Sequence, residues 1–234
     1  QGLQNWVPYV NSKFDIFMSN DVMRPIIAQE KSAFNFREMM DSKKIFLVNL
    51  SKGRLGDINA ELLGLIIVGK FSQAAMSRVD SIGKPMNDFY LYIDEFQNFT
   101  TPAIASILSE ARKYGLSLNV AHQYISQLTE EIKGAIFGNV GSMAVFRISA
   151  DDAKYLESKF SPTFTATDIM KIENRHAYLS LLAEGTPKKP FDVDVLPPPK
   201  GDNTRIPILK ELSYVTYGRP KDEVDEEIMR KFNL

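Results

Sequence analysis

Two adjacent carboxylates, Asp94 and Glu95, close the apolar run Phe89–Ile93 within the stretch DFYLYIDEFQNFTTPAIASILSEARKYGLSLNVAHQ, Asp88–Gln123. A second apolar run, Leu116–Ala121, leads to Gln123. In parallel α/β sheets ligands sit beyond the carboxyl ends of the strands, which is where both polar groups fall. Neighbouring residues of a strand point to opposite sides, so the two carboxylates suit separate tasks. One can hold a magnesium ion through its waters; the other can orient and activate an attacking water. The neutral amide of Gln123 can hydrogen-bond a γ-phosphate or that water. Arg112, on the intervening helix, can neutralise charge on a transferring phosphoryl group. Its surface-facing position suits a neighbouring subunit's nucleotide better than its own.

Each residue alone also has a plainer reading. An Asp-Glu pair at a strand end can be a helix entry or a surface feature. Arg112 can be a solvated helix residue or an ion-pair partner of Glu110 or Glu95. Arg147, read as lying inside the strand AVFRIS, has to be buried, edge-exposed or paired, with Asp151 or Asp152 as structural partners and nucleotide sensing as the alternative. His122 reads as a packed neighbour. The segment SKGRLGD (Ser51–Asp57) has Gly, Lys and Arg, but it lacks the GxxxxGK-Ser/Thr spacing of a phosphate loop, and no other segment supplies it.

The elements that must position these groups alternate. Ile45–Leu50, IFLVNL, is a short continuous apolar run of the kind expected for a fully buried parallel strand. Asp57 caps a helix over about residues 58–78, apolar nearly all round at its start. After the strand Phe89–Ile93, Thr101 caps a helix with Pro102 at its first position and Gly115 at its end. Leu116–Ala121 is the next strand, followed by a helix over about residues 126–137, a strand Met143–Ile148, a helix Asp151–Phe160 and an edge strand Ala177–Ala183 whose direction, parallel or antiparallel, the sequence leaves open. Strands alternating with helices predict an α/β fold with a mostly parallel sheet. Residues 1–42 read as a lead-in that includes a short helix or lid (Trp6, Tyr9, Phe14, Phe17), 43–190 as the core, 191–207 as a Pro-rich linker stiffened by three consecutive prolines. Residues 208–234 read as a charged tail with an amphipathic helix over Asp222–Phe232.

Composition narrows the options. The chain has 234 residues, enough for one sizeable domain with an appendage. A formal net charge of −1 argues against a basic nucleic-acid coat but allows a local basic channel. With no Cys, disulfides, zinc–thiolate sites and thiol catalysis are excluded. His122 and His176 are the sole histidines, too few for a His-rich metal site. No uninterrupted apolar run reaches the length of about 18 residues that marks a membrane span, so none is expected. The first residue is Gln and no leader follows, so the chain is expected to be part of a longer polypeptide.

Taken together, the order of motifs is far more specific than its parts. A strand ending in DE, a helix ending in ARKYGL, a strand ending in AHQ, then GNVGSMAVFRIS with Asp152–Ala153 shortly after resembles the additional-strand P-loop ATPases of the HerA/FtsK superfamily. The likeness is greatest to type IV secretion coupling proteins of the TraG/TraD kind and related conjugative ATPases, and FLVNLSKGRLGDINAELLGLIIVGKF looks like them too. It covers roughly residues 26–183. It implies a RecA-like core, incomplete here because the Walker A loop is lacking, with a C-terminal helical tail. By position, Asp94 would be the Walker B carboxylate and magnesium ligand, Glu95 the catalytic base, Gln123 the γ-phosphate sensor, Arg112 a trans arginine finger and Arg147 a further nucleotide-facing arginine. The cofactors implied are ATP and Mg2+. The partners implied are other copies of the chain in a hexameric ring, DNA bound without sequence preference, and secretion-system proteins. The implied location is the cytoplasm, at the inner face of the inner membrane through an anchor upstream. The alternative is a Walker-A-less domain that serves as a protein-docking or substrate-receptor module. Lys52, Arg54 and Lys113 are candidate DNA contacts by charge alone.

Overall fold

A computed structural model describes residues 8, 9, 12, 14, 15, 17–100 and 102–232, the side chains of residues 102, 103, 105, 106 and 232 excepted. The expected roles of Trp6 and of Thr101 as a helix cap lie outside the described residues. Among these, two compact units form. One comprises the described residues within Gln1–Met39, Ile45–Gly64 and Lys200–Leu234; the other comprises Met40–Lys44 and Leu65–Pro199.

In the first unit the helix Lys221–Phe232 forms as the spacing of its apolar residues predicts. Val224 and Ile228, one turn apart, are buried, and acidic residues open the helix while Arg230 and Lys231 close it, complementing its dipole. Arg24, on the short helix Met23–Ile27, meets Asp225 at 3.4 Å, and Lys231 meets Glu30 at 3.4 Å. An aromatic cluster links Phe34, Phe36, Phe46 and Tyr217, with ring centroids 5.2 to 6.4 Å apart. Tyr217 ends the helix Arg205–Tyr217, which is exposed throughout.

The run Ile45–Leu50 is not the buried strand its composition predicts. It has no strand partner among the described residues, and Ile45 and Leu47 are 89% and 82% exposed. A strand exists only with a ladder beside it, and a buried strand only with layers on both faces. Apolar composition supplies neither.

In the second unit the strands β1 (Phe89–Ile93) and β2 (Leu116–Val120) pair in parallel, from Phe89 opposite Leu116 to Ile93 opposite Val120. The crossover between them is the helix Pro102–Glu110 and a 3-10 turn, Ala111–Tyr114. Gly115 ends it at φ 68°, a left-handed conformation that glycine adopts freely. Ile104, Ile107 and Ala111 bury the inward stripe of this crossover, while Leu108, read into the same stripe, is half-buried. The remaining strands are β3 (Met143–Val145), β4 (His176–Ser180), β5 (Leu182–Ala183), β6 (Thr186–Pro187) and β7 (Phe191–Asp194). β3, β4 and β7 make an antiparallel sheet in that order, and β5 with β6 a short hairpin. The fold is therefore mixed α/β with a parallel pair and flanking helices. The core beside the antiparallel sheet gathers Ile125, Val145, Leu156, Phe160, Ile169 and Ile172.

Several boundaries move. The helix expected over residues 126–137 begins at Glu130, after a 3-10 turn Ile125–Gln127, because the Thr129 hydroxyl accepts from the Ile132 amide at 3.4 Å. β3 stops at Val145, so Arg147 lies past the strand instead of inside it. The segment expected as an edge strand over Ala177–Ala183 is antiparallel, but it breaks into β4 and β5, and β4 lies between β3 and β7 instead of at an edge. The stretch read as a linker from residue 191 gives its first residues to β7.

The long helix Asp57–Met76 continues as a 3-10 turn, Ser77–Ser81, and Asp57 is its first residue instead of its cap. By length and composition this segment is apolar enough to cross a membrane, with a mean hydropathy of 1.3. The expectation of no such segment rested on an uninterrupted run, which Glu61 and Lys70 deny. Its buried Asn59, Phe71, Ala75 and Arg78 are equally those of a helix packed in a protein core.

Candidate functional site

The carboxyl end of the β1–β2 pair is built by backbone first. Past β2 the Ala121 amide donates to the Ile93 carbonyl at 3.0 Å, and the Phe96 amide returns to the Ala121 carbonyl at 2.9 Å. Between those two bonds the chain must turn sharply away from the strand direction. It does so at Glu95, whose φ of 50° and ψ of 44° are left-handed. Left-handed backbone costs a residue with a side chain about 1–2 kcal/mol. Such strain persists only where surrounding structure holds it, and it clusters at functional sites. Here the holders are visible: Phe96 is fully buried and opens the 3-10 turn Phe96–Phe99, and the Asn98 amide donates to the Glu95 carbonyl at 3.0 Å.

This turn presents the carboxylate of Glu95 to two amides. Gln123 Nε2 donates to Glu95 Oε1 at 2.7 Å, across the strand ends. Gln97 Nε2 donates to Glu95 Oε2 at 2.6 Å, from two residues along. Asp94 is exposed, and one of its oxygens accepts from the Glu95 amide at 2.9 Å. The structure thus brings Asp94, Glu95 and Gln123 together, as the sequence predicts, and adds Gln97. Nothing in the spacing announces Gln97. A side chain two residues on reaches back only because Glu95 is left-handed.

Two of the candidate residues stand elsewhere. Arg112 lies in the turn before β2, hence at the amino end of the parallel pair, while Glu95 lies past the carboxyl end. Four residue steps of about 3.3 Å separate those ends, roughly 13 Å. Arg112 is exposed, and its expected partners are otherwise engaged: Glu110 pairs with Lys113 at 2.9 Å, and Glu95 with the two amides. Arg147 donates to Asn174 Oδ1 at 3.0 Å instead of pairing with Asp151 or Asp152. Asp152 is buried, and it accepts from the Ile125 amide at 3.4 Å. Among the cations considered for DNA, Lys113 also lies over the Tyr114 ring and Lys52 meets Asp57 at 3.3 Å, whereas Arg54 is exposed.

His122, between the strand and Gln123, is half-buried. Burial pushes its imidazole below the ordinary value, and the negative charge of Asp152 pulls weakly the other way. It stays neutral near pH 7 and is a packed neighbour, not a proton carrier poised at physiological pH. Among the described residues no group of three His, Cys, Asp or Glu side chains could cage a metal ion. Magnesium keeps several waters and takes one or two carboxylates plus phosphate oxygens. Asp94, exposed, with its Oδ1 taken by a backbone amide, fits such a ligand. The donor set for nucleotide phosphates is another matter, because no phosphate-cradling glycine loop occurs in the sequence.

Comparison with known proteins finds two kinds of likeness, one in sequence and one in fold. Residues 88–177, which hold every candidate site residue, match the family described as the TraM recognition site of TraD and TraG. Among solved structures, the plasmid coupling protein TrwB in complex with ADP and Mg2+ is similar at a TM-score of 0.53 and 16% identity, over 73% of this chain and 45% of that one. The unbound bacterial conjugative coupling protein TrwBdeltaN70 is similar at 0.48 and 17%, over 66% and 38%. The genome packaging NTPase B204 from Sulfolobus turreted icosahedral virus 2 is similar at 0.46 and 15%, over 72% and 74%. At these identities the TrwB complex shows a shared fold, and the two lower scores add no argument. The chain spans less than half the length of the coupling-protein structures it matches. No curated protein matches it by sequence.

Proposed function

We propose that this chain, TraG/TraD-like and of the HerA/FtsK type, supplies the water-activating half of the ATP site in a DNA-translocating coupling protein. The observation that carries this reading is the Glu95–Gln123 hydrogen bond, which joins a strand-end carboxylate to a strand-end amide at the ligand-binding end of a parallel pair. Bound Mg-ATP would supply the phosphoryl group to be cleaved. Asp94 would hold the magnesium ion through its waters. Glu95 draws a proton from the attacking water. Gln123, exposed and tied to Glu95, exchanges that bond for one to the terminal phosphate and so couples nucleotide state to the base. Arg112, at the opposite end of the strand pair, acts on the nucleotide of the next copy in a ring, with Arg147 as a further nucleotide-facing cation once released from Asn174. The phosphate loop and a membrane anchor at the cytoplasmic face come from other parts of the polypeptide.

DNA contacts in this reading are to the backbone. The expected result is that DNA of any sequence stimulates ATP turnover by the full-length protein, with stimulation that weakens steeply as salt rises. Turnover indifferent to DNA at low salt would contradict it. A second reading, a protein-docking module, is favoured by the description of the matched family as a recognition site. In that case a TraM-like partner protein binds residues 88–177 with equal affinity whether or not nucleotide is present.

A further inference from the structure

We infer that Gln97 is the positioning residue of the hydrolytic base, and that it selects which oxygen of Glu95 takes the proton. This rests on the reading of Glu95 as that base. Both carboxylate oxygens are capped, Oε1 by Gln123 and Oε2 by Gln97. The two caps differ in kind. Gln123 is exposed on the segment beyond β2, where it can turn toward a phosphate. Gln97 is half-buried, one residue from fully buried Phe96, on a turn tied by backbone hydrogen bonds to Ala121 and Glu95. When Gln123 leaves, Oε1 loses that donor while Gln97 still holds Oε2. The proton drawn from water then lands on Oε1.

The other end of the Gln97 amide points the same way. Its Oε1 is buried and has no hydrogen-bond partner among the described residues. A buried acceptor without a partner is destabilising, so a side chain selected only for packing would not be expected to carry one. Turning the amide over would aim this oxygen at the Glu95 carboxylate, so the orientation is fixed by the carboxylate alone. The left-handed backbone of Glu95 adds a second unfavourable feature, and both serve a single contact, Gln97 to Glu95.

The test uses the full-length protein with Gln97→Met, which removes the donor at similar volume, and Gln97→Glu, which keeps the shape and sets a carboxylate against a carboxylate. A base that has lost its orientation should lower kcat about 10–100-fold. The KM for ATP and the affinity for a non-hydrolysable analogue should stay within about twofold, and Gln97→Glu should be the worse of the two. In the nucleotide-free protein the Gln97 side-chain amide resonance should move on Glu95→Gln substitution. Parental kcat in Gln97→Met, beside a Glu95→Gln variant that has lost turnover, overturns the inference and leaves the proposed function intact. Equal losses of kcat and analogue binding, or an amide resonance indifferent to Glu95→Gln, also overturn it by showing a merely structural role. Normal turnover in Glu95→Gln removes the function on which the inference rests.

Discussion

The two ends of the β1–β2 pair handle charge in opposite ways. At the amino end Arg78 is fully buried. Its Nε donates to Asp41 Oδ1 at 3.0 Å, and Nη2 lies 2.9 Å from the same oxygen with no hydrogen bond of its own among the described residues. Nη1 donates to the carbonyls of Tyr114 at 2.9 Å and Asn87 at 3.1 Å, and Asn87 donates back to the Asp41 carbonyl at 2.7 Å. A guanidinium suits this hub because its planar fork meets several acceptors at once. At the carboxyl end the charges are carboxylates, Asp94 is exposed, and Glu95 accepts from the neutral amides of Gln97 and Gln123. A charge meant to hold the fold is neutralised and enclosed. At the other end the Glu95 carboxylate is oriented by two side-chain amides, and neither it nor Asp94 is enclosed.

Substitutions at the two ends should therefore separate stability from turnover. The largest stability effect is expected at Arg78. Arg78→Met removes the guanidinium and leaves buried carbonyls without donors, which should cost about 3 kcal/mol or more in urea unfolding. Analogue binding by the folded fraction should be unchanged. Weakened binding with little loss of stability would mean that the two ends are not independent.

The next effect is expected at the other end. Gln123→Leu should lower kcat about 10–100-fold, roughly 1.4–2.7 kcal/mol of activation free energy. Because Gln123 is exposed, the thermal midpoint should hardly move. A stability loss as large as that of Arg78→Met would place Gln123 with the structural groups instead.

The smallest effect is a pH dependence at His122. Its folded-state imidazole titrates below the unfolded value of 6.5, so below about pH 6.5 the unfolded chain binds more protons than the folded one. Stability contributed by neutral His122 is complete above that value and declines as pH falls toward the folded one. Wild type should lose slightly more stability than His122→Asn between pH 7.5 and 5.5, read as the difference in urea midpoints. Equal losses would show that the burial of His122 has no bearing on its charge.

What the sequence revealed follows the range of the interactions concerned. Asp94, Glu95 and Gln123 were legible because each ends an apolar run, and parallel strands bring such ends together. The helix between them was legible from Pro102 and Gly115, which act locally. Ile45–Leu50 misled because its composition speaks of burial, whereas a strand depends on partners far away in sequence. Arg78 was hidden because an arginine at a helix end ordinarily reaches solvent, and only the fold supplies Asp41, Asn87 and Tyr114 around it. Gln97 was hidden by a single dihedral angle at Glu95.

The most direct measurement is ATP turnover by full-length Glu95→Gln beside wild type, together with binding of a non-hydrolysable analogue. Glu95→Gln keeps the size and shape of the side chain but removes the base, and one of the two facing amides must turn its oxygen to the new NH2. The expected result is turnover lower by about 10²–10⁴-fold with analogue affinity within about twofold. Wild-type turnover in the variant would contradict the assignment of Glu95, and with it the proposal that the carboxyl end of the strand pair is a hydrolytic site.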